Sequence, residues 1–260
     1  MAKTKRLVTI TAGRLVFALC YTQAMSYDTP KDRSKKTKHS SEARRRINFR
    51  YAYQKCQLKL ATNFCKNDWY ITLTYDDAHL PGKRKAADKL VGKFLRQLKE
   101  ARKKTGDVLK WIRSTHELAG EDGRRLHHHI VLNAVNEYTD IEQIESLWTY
   151  GNVHIQRIGQ SEHYLNEDFL ELAMYLTGER NPDKTGTTPG SRSWSGSHNL
   201  SKPIRESILV EETMTVEAPP GAYILDTDER RNEYGTFKYI KYLLPERRST
   251  VKKPLNRRRE

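Results

Sequence analysis

Long apolar runs and closely spaced cysteines are both missing from this chain of 260 residues. Arg14 interrupts the first apolar stretch and leaves only Leu15 to Cys20, which is too short for a secretion signal or a membrane span. Cys20, Cys56 and Cys65 lie far apart, so neither a disulfide framework nor a cysteine-ligated zinc site is expected. We therefore expect a cytoplasmic protein in a reducing compartment, without a membrane partner.

Acidic residues are the next deficit, since 47 Lys and Arg stand against 32 Asp and Glu and give a net charge of +15. A field of this sign attracts polyphosphates and favours nucleic acid as the partner over an anionic membrane surface or a merely soluble basic protein. Charge alone does not separate a binding protein from an enzyme. The chain also lacks the Gly-x-x-x-x-Gly-Lys-Ser/Thr loop, which argues against ATP hydrolysis.

Hydrophobic periodicity predicts strands and helices in alternation through the middle of the chain. Predicted helices are 41–65, 86–104, 140–149 and 166–178, and predicted strands are 69–75, 108–118, 125–135, 152–158, 223–225 and 237–240. This order predicts an α+β fold in which helices lie on one face of an antiparallel sheet.

Composition divides the chain into four regions. Residues 1–40 end in a stretch rich in Lys, Ser and Thr and are expected to be a basic arm and linker, and 41–180 form the core with a leading basic helix. Residues 181–245 are expected to be a loop, which runs to about 206, and a β-rich extension packed on the core; 246–260 form a basic tail. Within the leading helix, Arg44, Arg45, Arg46 and Arg50 are candidate contacts for a DNA backbone, although a solvated face explains them equally well.

Three consecutive histidines are the most informative local feature. Side chains alternate along a strand, so His127 and His129 share one face while His128 points to the other. Two imidazoles on one face of a rigid strand can chelate a divalent ion, a role that a surface histidine run would not have. Hard ions such as Mg²⁺ or Mn²⁺ prefer an added oxygen ligand, and we predict that Glu117 on the preceding strand supplies it.

Phosphodiester chemistry at such a metal needs a nucleophile, either an activated water or a side chain. In the predicted helix 166–178, Tyr175 lies at the border between the apolar stripe and an acidic side that includes Asp168 and Glu171. Periodicity by itself favours a tyrosine at the edge of the core.

Three blocks in order resemble rolling-circle replication initiators of the HUH endonuclease superfamily from phages and plasmids. Residues 69–75 (WYITLTY) resemble the first motif, 125–131 (RLHHHIV) the His-hydrophobe-His motif, and 171–178 (ELAMYLTG) the tyrosine motif; residues 194–203 (WSGSHNLSKP) resemble a following segment. The resemblance spans roughly residues 41–245. It implies a ferredoxin-like sheet with Tyr175 as the nucleophile.

The resemblance also implies a reaction and its partners. Tyr175 would nick single-stranded or hairpin origin DNA, leave a 5′-phosphotyrosine, and later rejoin the strand, with a host helicase and DNA polymerase completing replication in a bacterial cell. One departure is Gly178, where the family usually has a Lys. Arg180 and Lys184 are candidates for its role, and Tyr164, Tyr239 and Tyr242 are alternative nucleophiles.

Two further interpretations remain open. A DNA-binding regulator without catalysis, on a nuclease-like fold, would explain the missing Lys. A metal-dependent nuclease that uses water would cut DNA without forming a protein adduct.

Overall fold

The computed structural model describes residues 4–22, 42–120, 123–178, 194–233 and 235–246. The described helices are α1 (Glu42–Asn63), α2 (Arg84–Lys104), α3 (Glu137–Leu147) and α4 (Leu170–Thr177). The described strands are β1 (Lys5–Ala12), β2 (Leu15–Thr22), β3 (Trp69–Leu73), β4 (Trp111–Gly120), β5 (Gly123–Leu132), β6 (Val153–Arg157), β7 (Trp194–Gly196), β8 (Ile204–Val210), β9 (Tyr223–Asn232) and β10 (Gly235–Leu243). None of these helices is long and apolar enough to cross a lipid bilayer.

The chain divides into two compact units, each with its own five-stranded antiparallel sheet. The larger unit comprises Met25–Ile204, and the smaller unit combines Met1–Ala24 with Arg205–Glu260. Strands and helices alternate in the larger unit, whereas the described part of the smaller unit is built of strands. The prediction of an α+β fold is confirmed.

The larger sheet contains a ferredoxin-like unit. Its strands lie in the order β6-β3-β5-β4-β7, and the first four belong to the succession β3-α2-β4-β5-α3-β6. A β-α-β-β-α-β succession with the first and third strands at the centre is the split βαβ arrangement. The histidine strand β5 is therefore central, between β3 and β4, where neighbours on both sides hold it in place.

One face of this sheet is covered by α2 and α3. Buried residues recur every three or four positions along α2, among them Val91, Phe94 and Leu98, and they pack on Trp69, Ile71 and Leu73 of β3 together with other apolar side chains. This spacing places the apolar side chains on one side of the helix. Burial of each large side chain contributes about 1.5 to 3 kcal/mol.

The opposite face carries α1 and α4, which pack against each other and against the sheet. Cys56 and Leu60 of α1 and Leu172 of α4 lie in one apolar cluster with Tyr70 and Val131 of the sheet. The expectation of helices on one face therefore holds for the ferredoxin-like unit itself, while α1 and α4 add a second layer. The two core clusters use alternate residues of the same strands, as strand geometry requires.

The smaller unit corrects the prediction for residues 1–40, because β1 and β2 form a hairpin there instead of an arm. Gly13 begins its two-residue turn with φ 59°, a conformation that glycine adopts without strain. The strand order is β8-β1-β2-β10-β9, so the predicted β-rich extension shares one sheet with the start of the chain. Val16, Ala18 and Ile240 belong to its buried apolar cluster.

The predicted loop 181–206 also contains regular structure. Trp194–Gly196 form β7, which pairs with β4 at the edge of the larger sheet, and β8 begins at Ile204. Residues 179–193 and 247–260, which include most of this loop and most of the predicted basic tail, lie outside the described residues.

A buried carboxylate ties three elements of the larger unit together. Asp140 in α3 accepts hydrogen bonds from Trp69 Nε1 (2.8 Å) and from the backbone N–H of Val135 (2.8 Å), and it forms an ion pair with Arg102 Nη2 at 2.9 Å. Both members of the ion pair are only 2% exposed. A buried charge of this kind is tolerated because its partners replace water.

We expect Asp140→Ala to lower the free energy of unfolding by about 3 to 5 kcal/mol, because it leaves Arg102 buried without its charge partner. Urea denaturation followed by circular dichroism measures this loss. Glu142→Ala is the matched control, since that carboxylate is exposed on the same helix and should change stability by less than about 0.5 kcal/mol. Equal effects of the two variants would contradict the prediction.

Candidate functional site

The register of the β4–β5 hairpin determines which side chains share the face beneath α4. Gly120 pairs with Gly123, so only two residues separate the paired ends of the strands. Counting back from this pair, His116 lies opposite His127. Directly opposed residues of an antiparallel pair place their side chains on the same face of the sheet.

Three histidines consequently form a buried cluster. The ring centroids of His127 and His129 are 4.8 Å apart, and those of His116 and His129 are 4.7 Å apart. One nitrogen of each ring lies within 4.8 Å of the others, and the three residues are between 4% and 8% exposed. Nitrogens gathered at this spacing on rigid strands can bind a divalent metal ion.

Glu117 does not belong to this cluster, which corrects the predicted ligand set. Its strand partner is Leu126, a neighbour of His127 in sequence, and neighbouring residues point to opposite faces of a sheet. His116 takes the place expected for Glu117, and among the described residues the candidate ligands are all imidazoles. Imidazole ligands suit Mn²⁺, Zn²⁺ and other transition metals better than Mg²⁺, which prefers oxygen.

Hydrogen bonds orient His129 from behind. Its Nδ1 lies 2.9 Å from the Tyr70 hydroxyl and 3.2 Å from Thr72 Oγ1, both on β3. The Tyr70 and His129 rings are also parallel within 6°, with centroids 5.7 Å apart. A histidine that binds a metal through Nε2 donates its Nδ1–H to a neighbouring acceptor, and these two hydroxyl oxygens are placed to accept it.

Tyr175 faces the histidine cluster from α4. Its hydroxyl lies 3.0 Å from Nε2 of His129, and its ring centroid lies 5.3 Å from that of His116. On its other side the ring stacks on His163, with centroids 3.7 Å apart and planes 20° apart. Burial raises the pKa of Tyr175, and the Glu162 carboxylate raises it further. The phenol is therefore protonated near neutral pH in this environment.

A cavity of about 350 Å³ opens beside Tyr175. Its lining includes Tyr70, His129, Gln156 and His163, so it adjoins the histidine cluster on the side of β3 and β6. Gln156 and the neighbouring polar groups offer hydrogen-bond donors and acceptors. The volume falls within the range of ligand pockets and suits a single flat, polar group.

The end of α4 explains the glycine at position 178. The helix stops at Thr177, and Gly178 adopts a left-handed conformation with φ 78° while its N–H bonds to the carbonyl of Tyr175. Glycine takes this conformation without the penalty that a Cβ imposes, which makes it the usual residue just after a helix. A Lys here would adopt a strained backbone, so this chain cannot carry the usual Lys without altering the helix end.

The middle histidine has a structural role on the opposite face. His128 is fully buried, with Nε2 2.8 Å from the Tyr75 hydroxyl and Nδ1 2.9 Å from Thr115 Oγ1. Thr115 also contacts Asp88 Oδ1 at 2.9 Å. Burial, reinforced by the nearby Arg113 charge, lowers the pKa of His128 to about 3. The ring is neutral and both of its nitrogens have partners.

The remaining predicted residues are placed as follows. Arg46 and Arg50 are exposed near the start of α1, whereas the side chains of Arg44 and Arg45 lie outside the part of the structure that is described. Arg180 and Lys184 fall within the undescribed residues 179–193. Among the alternative tyrosines, Tyr164 packs edge-on against Phe169. Tyr239 and Tyr242 belong to β10 of the smaller unit.

Sequence reasoning misses four contributors to the site: His116, Tyr70, Thr72 and His163. A two-residue turn in the Gly-Glu-Asp-Gly segment would have identified His116, because it fixes which residues are opposed. Tyr70 and Thr72 alternate with the apolar residues of the first motif and therefore lie on the histidine face. Nothing in the sequence around His163 indicates its contact with Tyr175.

A buried three-histidine cluster on a ferredoxin-like sheet defines a candidate metal centre. Residues 68–171 match the family model of the replication-associated proteins of the ORF2 type, which supports a replication initiator protein. The matched stretch contains all three clustered histidines and ends before Tyr175. Comparison with curated proteins and with solved structures gave no match.

We expect His116→Ala to weaken Mn²⁺ binding by at least about tenfold, since it removes one of three ligand nitrogens. Isothermal titration calorimetry of the metal-free protein with Mn²⁺ measures the dissociation constant. Glu117→Ala is the matched control from the same strand and should leave binding unchanged, because its side chain lies on the opposite face. Weaker binding in Glu117→Ala with normal binding in His116→Ala would restore the carboxylate as ligand.

We also expect His128 to make the fold sensitive to acid. The unfolded chain protonates this residue near pH 6.5 and the folded chain near pH 3, so stability falls as the pH drops through that window. Between pH 7 and 4.5 this residue should account for about 2 to 3 kcal/mol of lost stability.

Urea denaturation at both pH values, without metal, measures this contribution. His128→Leu should show a smaller loss of stability on acidification than the wild type. His154→Leu is the control, because that histidine is exposed on β6, and it should retain the wild-type loss. An unchanged acid loss in His128→Leu would show that other groups cause it.

Proposed function

We propose that this protein is a metal-dependent endonuclease that nicks single-stranded DNA through Tyr175 and initiates rolling-circle replication of a phage or plasmid. The observation that carries the proposal is the tyrosine hydroxyl, which lies 3.0 Å from Nε2 of His129 in a buried cluster of three histidines. The match to a replication-associated family supports the role in replication. The order of the motifs supports the HUH type of nuclease.

His116, His127 and His129 are the proposed metal ligands. The bound metal would supply positive charge to the non-bridging oxygens of the scissile phosphate, where charge increases during transfer. The three-nitrogen donor set favours Mn²⁺ over Mg²⁺ as the working ion. Tyr70 and Thr72 would orient His129 for this role by accepting hydrogen bonds at its Nδ1.

Tyr175 is the proposed nucleophile. Its phenolic oxygen forms a bond to phosphorus, the bond from phosphorus to the 3′ oxygen breaks, and the phenolic proton is replaced at the departing oxygen. The products are a 5′-phosphotyrosine and a 3′-hydroxyl that can prime a polymerase. A phenol has a pKa near ~10, so it leaves more readily than an alcohol when the 3′-hydroxyl of a strand attacks in reverse. The linkage therefore allows the DNA end to be rejoined.

Charge and shape of the site fit an unpaired strand. The net charge of +15 attracts the phosphate backbone, and Arg46 and Arg50 are exposed for contact with it. The cavity beside Tyr175 has room for one nucleobase, and its glutamine and histidine side chains offer hydrogen bonds to a base edge. Because the sequence has no ATP-binding loop, we propose that a host helicase unwinds the DNA and a host polymerase extends the 3′ end.

The test is a covalent adduct between protein and DNA. Wild type with Mn²⁺ and labelled single-stranded origin DNA should give a band of protein bound to DNA on a denaturing gel. Tyr175→Phe should abolish that band, because it lacks the attacking oxygen, while binding DNA with unchanged affinity. Tyr164→Phe is the matched control, since that residue packs on Phe169, and it should retain the band.

Other outcomes assign the chemistry differently. An adduct that persists in Tyr175→Phe would move the nucleophile to Tyr164, Tyr239 or Tyr242. Cleavage without an adduct would identify a nuclease that uses water. Binding without cleavage, across candidate origins and metals, would identify a DNA-binding regulator.

A further inference from the structure

His163 lies flat against the ring of Tyr175, on the side of that ring that borders the cavity. The two ring centroids are 3.7 Å apart and the planes differ by 20°. This is the shortest ring-to-ring distance among the described aromatic and histidine pairs of the chain. His163 also meets the ring of Tyr70 edge-on, with centroids 6.4 Å apart. It therefore contacts both the proposed nucleophile and a residue that orients a proposed metal ligand.

The segment that carries His163 is held in a fixed conformation. Its backbone N–H donates to the hydroxyl of Ser161 at 3.2 Å, and Ser161 is only 5% exposed. The N–H of Ser161 donates in turn to the carbonyl of Ile158, and the N–H of Tyr164 donates to the carbonyl of Ser161. His163 is thus presented by a hydrogen-bonded turn, with its own side chain 12% exposed.

The ring of Tyr175 needs such support because it is only half buried and borders an open cavity. The tyrosine side chain rotates about two bonds, and its oxygen must lie in line with the bond that breaks. The His129 contact fixes only the hydroxyl end. Stacking on His163 restrains the ring plane as well, which limits the positions the oxygen can take.

We propose that His163 is a positioning residue that holds the ring of Tyr175 in the orientation from which its hydroxyl attacks the phosphate. This inference rests on the proposed function, since it assigns a role in the same reaction. The contribution lies in the planar ring. The nearby Glu162 carboxylate, 3.4 Å from Nε2 of His163, lies beyond the stacked pair and is mostly exposed.

The test compares three variants at one position under single-turnover conditions, with saturating Mn²⁺ and saturating single-stranded origin DNA. His163→Ala removes the ring and should slow adduct formation by about ten- to a hundredfold, because a displacement of the nucleophile of about 1 Å has an effect of this size. His163→Leu keeps bulk without a flat face and should also be slow. His163→Phe restores a flat ring and should react within about threefold of the wild-type rate.

Affinity measurements separate positioning from a general structural role. The dissociation constants for the DNA and for Mn²⁺ should stay within about twofold of wild type in all three variants, so that the loss appears in the rate alone. Leu165→Ala is the matched control, because that side chain is 69% exposed two residues further along the same segment, and it should react normally.

Each remaining outcome overturns the inference. A wild-type rate in both His163→Ala and His163→Leu would show that Tyr175 needs no stacking partner. Equal loss in the Phe and Leu variants, or loss accompanied by weaker metal and DNA binding, would show a structural role or a need for the imidazole nitrogens. If wild type forms no adduct, the proposed function itself fails, whereas a wild-type adduct with unaffected variants removes only the role of His163.

Discussion

The pairing register between β4 and β5 is the constraint on which the candidate site depends. Because Gly120 and Gly123 are opposed, His116 joins His127 and His129 on one face, and every other residue of the two strands is assigned to a face by the same count. A shift by one residue would exchange the two faces of β4 relative to β5. The candidate metal centre and the apolar core beneath it are therefore consequences of one turn length.

The same sheet serves two purposes, one on each face. Toward α2 it presents apolar side chains and the neutral, hydrogen-bonded His128, which together form a well-packed core. Toward α4 it presents imidazoles and hydroxyls whose hydrogen bonds lead to Tyr175. A rigid core on one side fixes the backbone that positions ligands on the other, and binding or catalytic groups need such support to keep their geometry.

Much of the larger unit can be predicted from sequence, because helical and strand periodicity in its core is strong. Alternation along β5 correctly separates His128 from His127 and His129. His116 escapes prediction because face assignment across a hairpin needs the turn length, and the composition of residues 119–124 indicates a longer turn than the structure has. Strands β1 and β2 escape it because β2 pairs with β10, which comes from the far end of the chain. Long-range contacts such as that of His163 with Tyr175 likewise leave no trace in local periodicity.

The buried His128 has a consequence for how this sheet can change over time. Its two nitrogens are matched by the hydroxyls of Tyr75 and Thr115, which come from two different strands or their ends. Loss of any one of the three would strand a polar atom in the core, whereas joint replacement by apolar residues of similar size would leave none. The three positions are therefore free to vary as a set and constrained one at a time, so related chains should differ here by whole exchanges of a polar triplet for an apolar one.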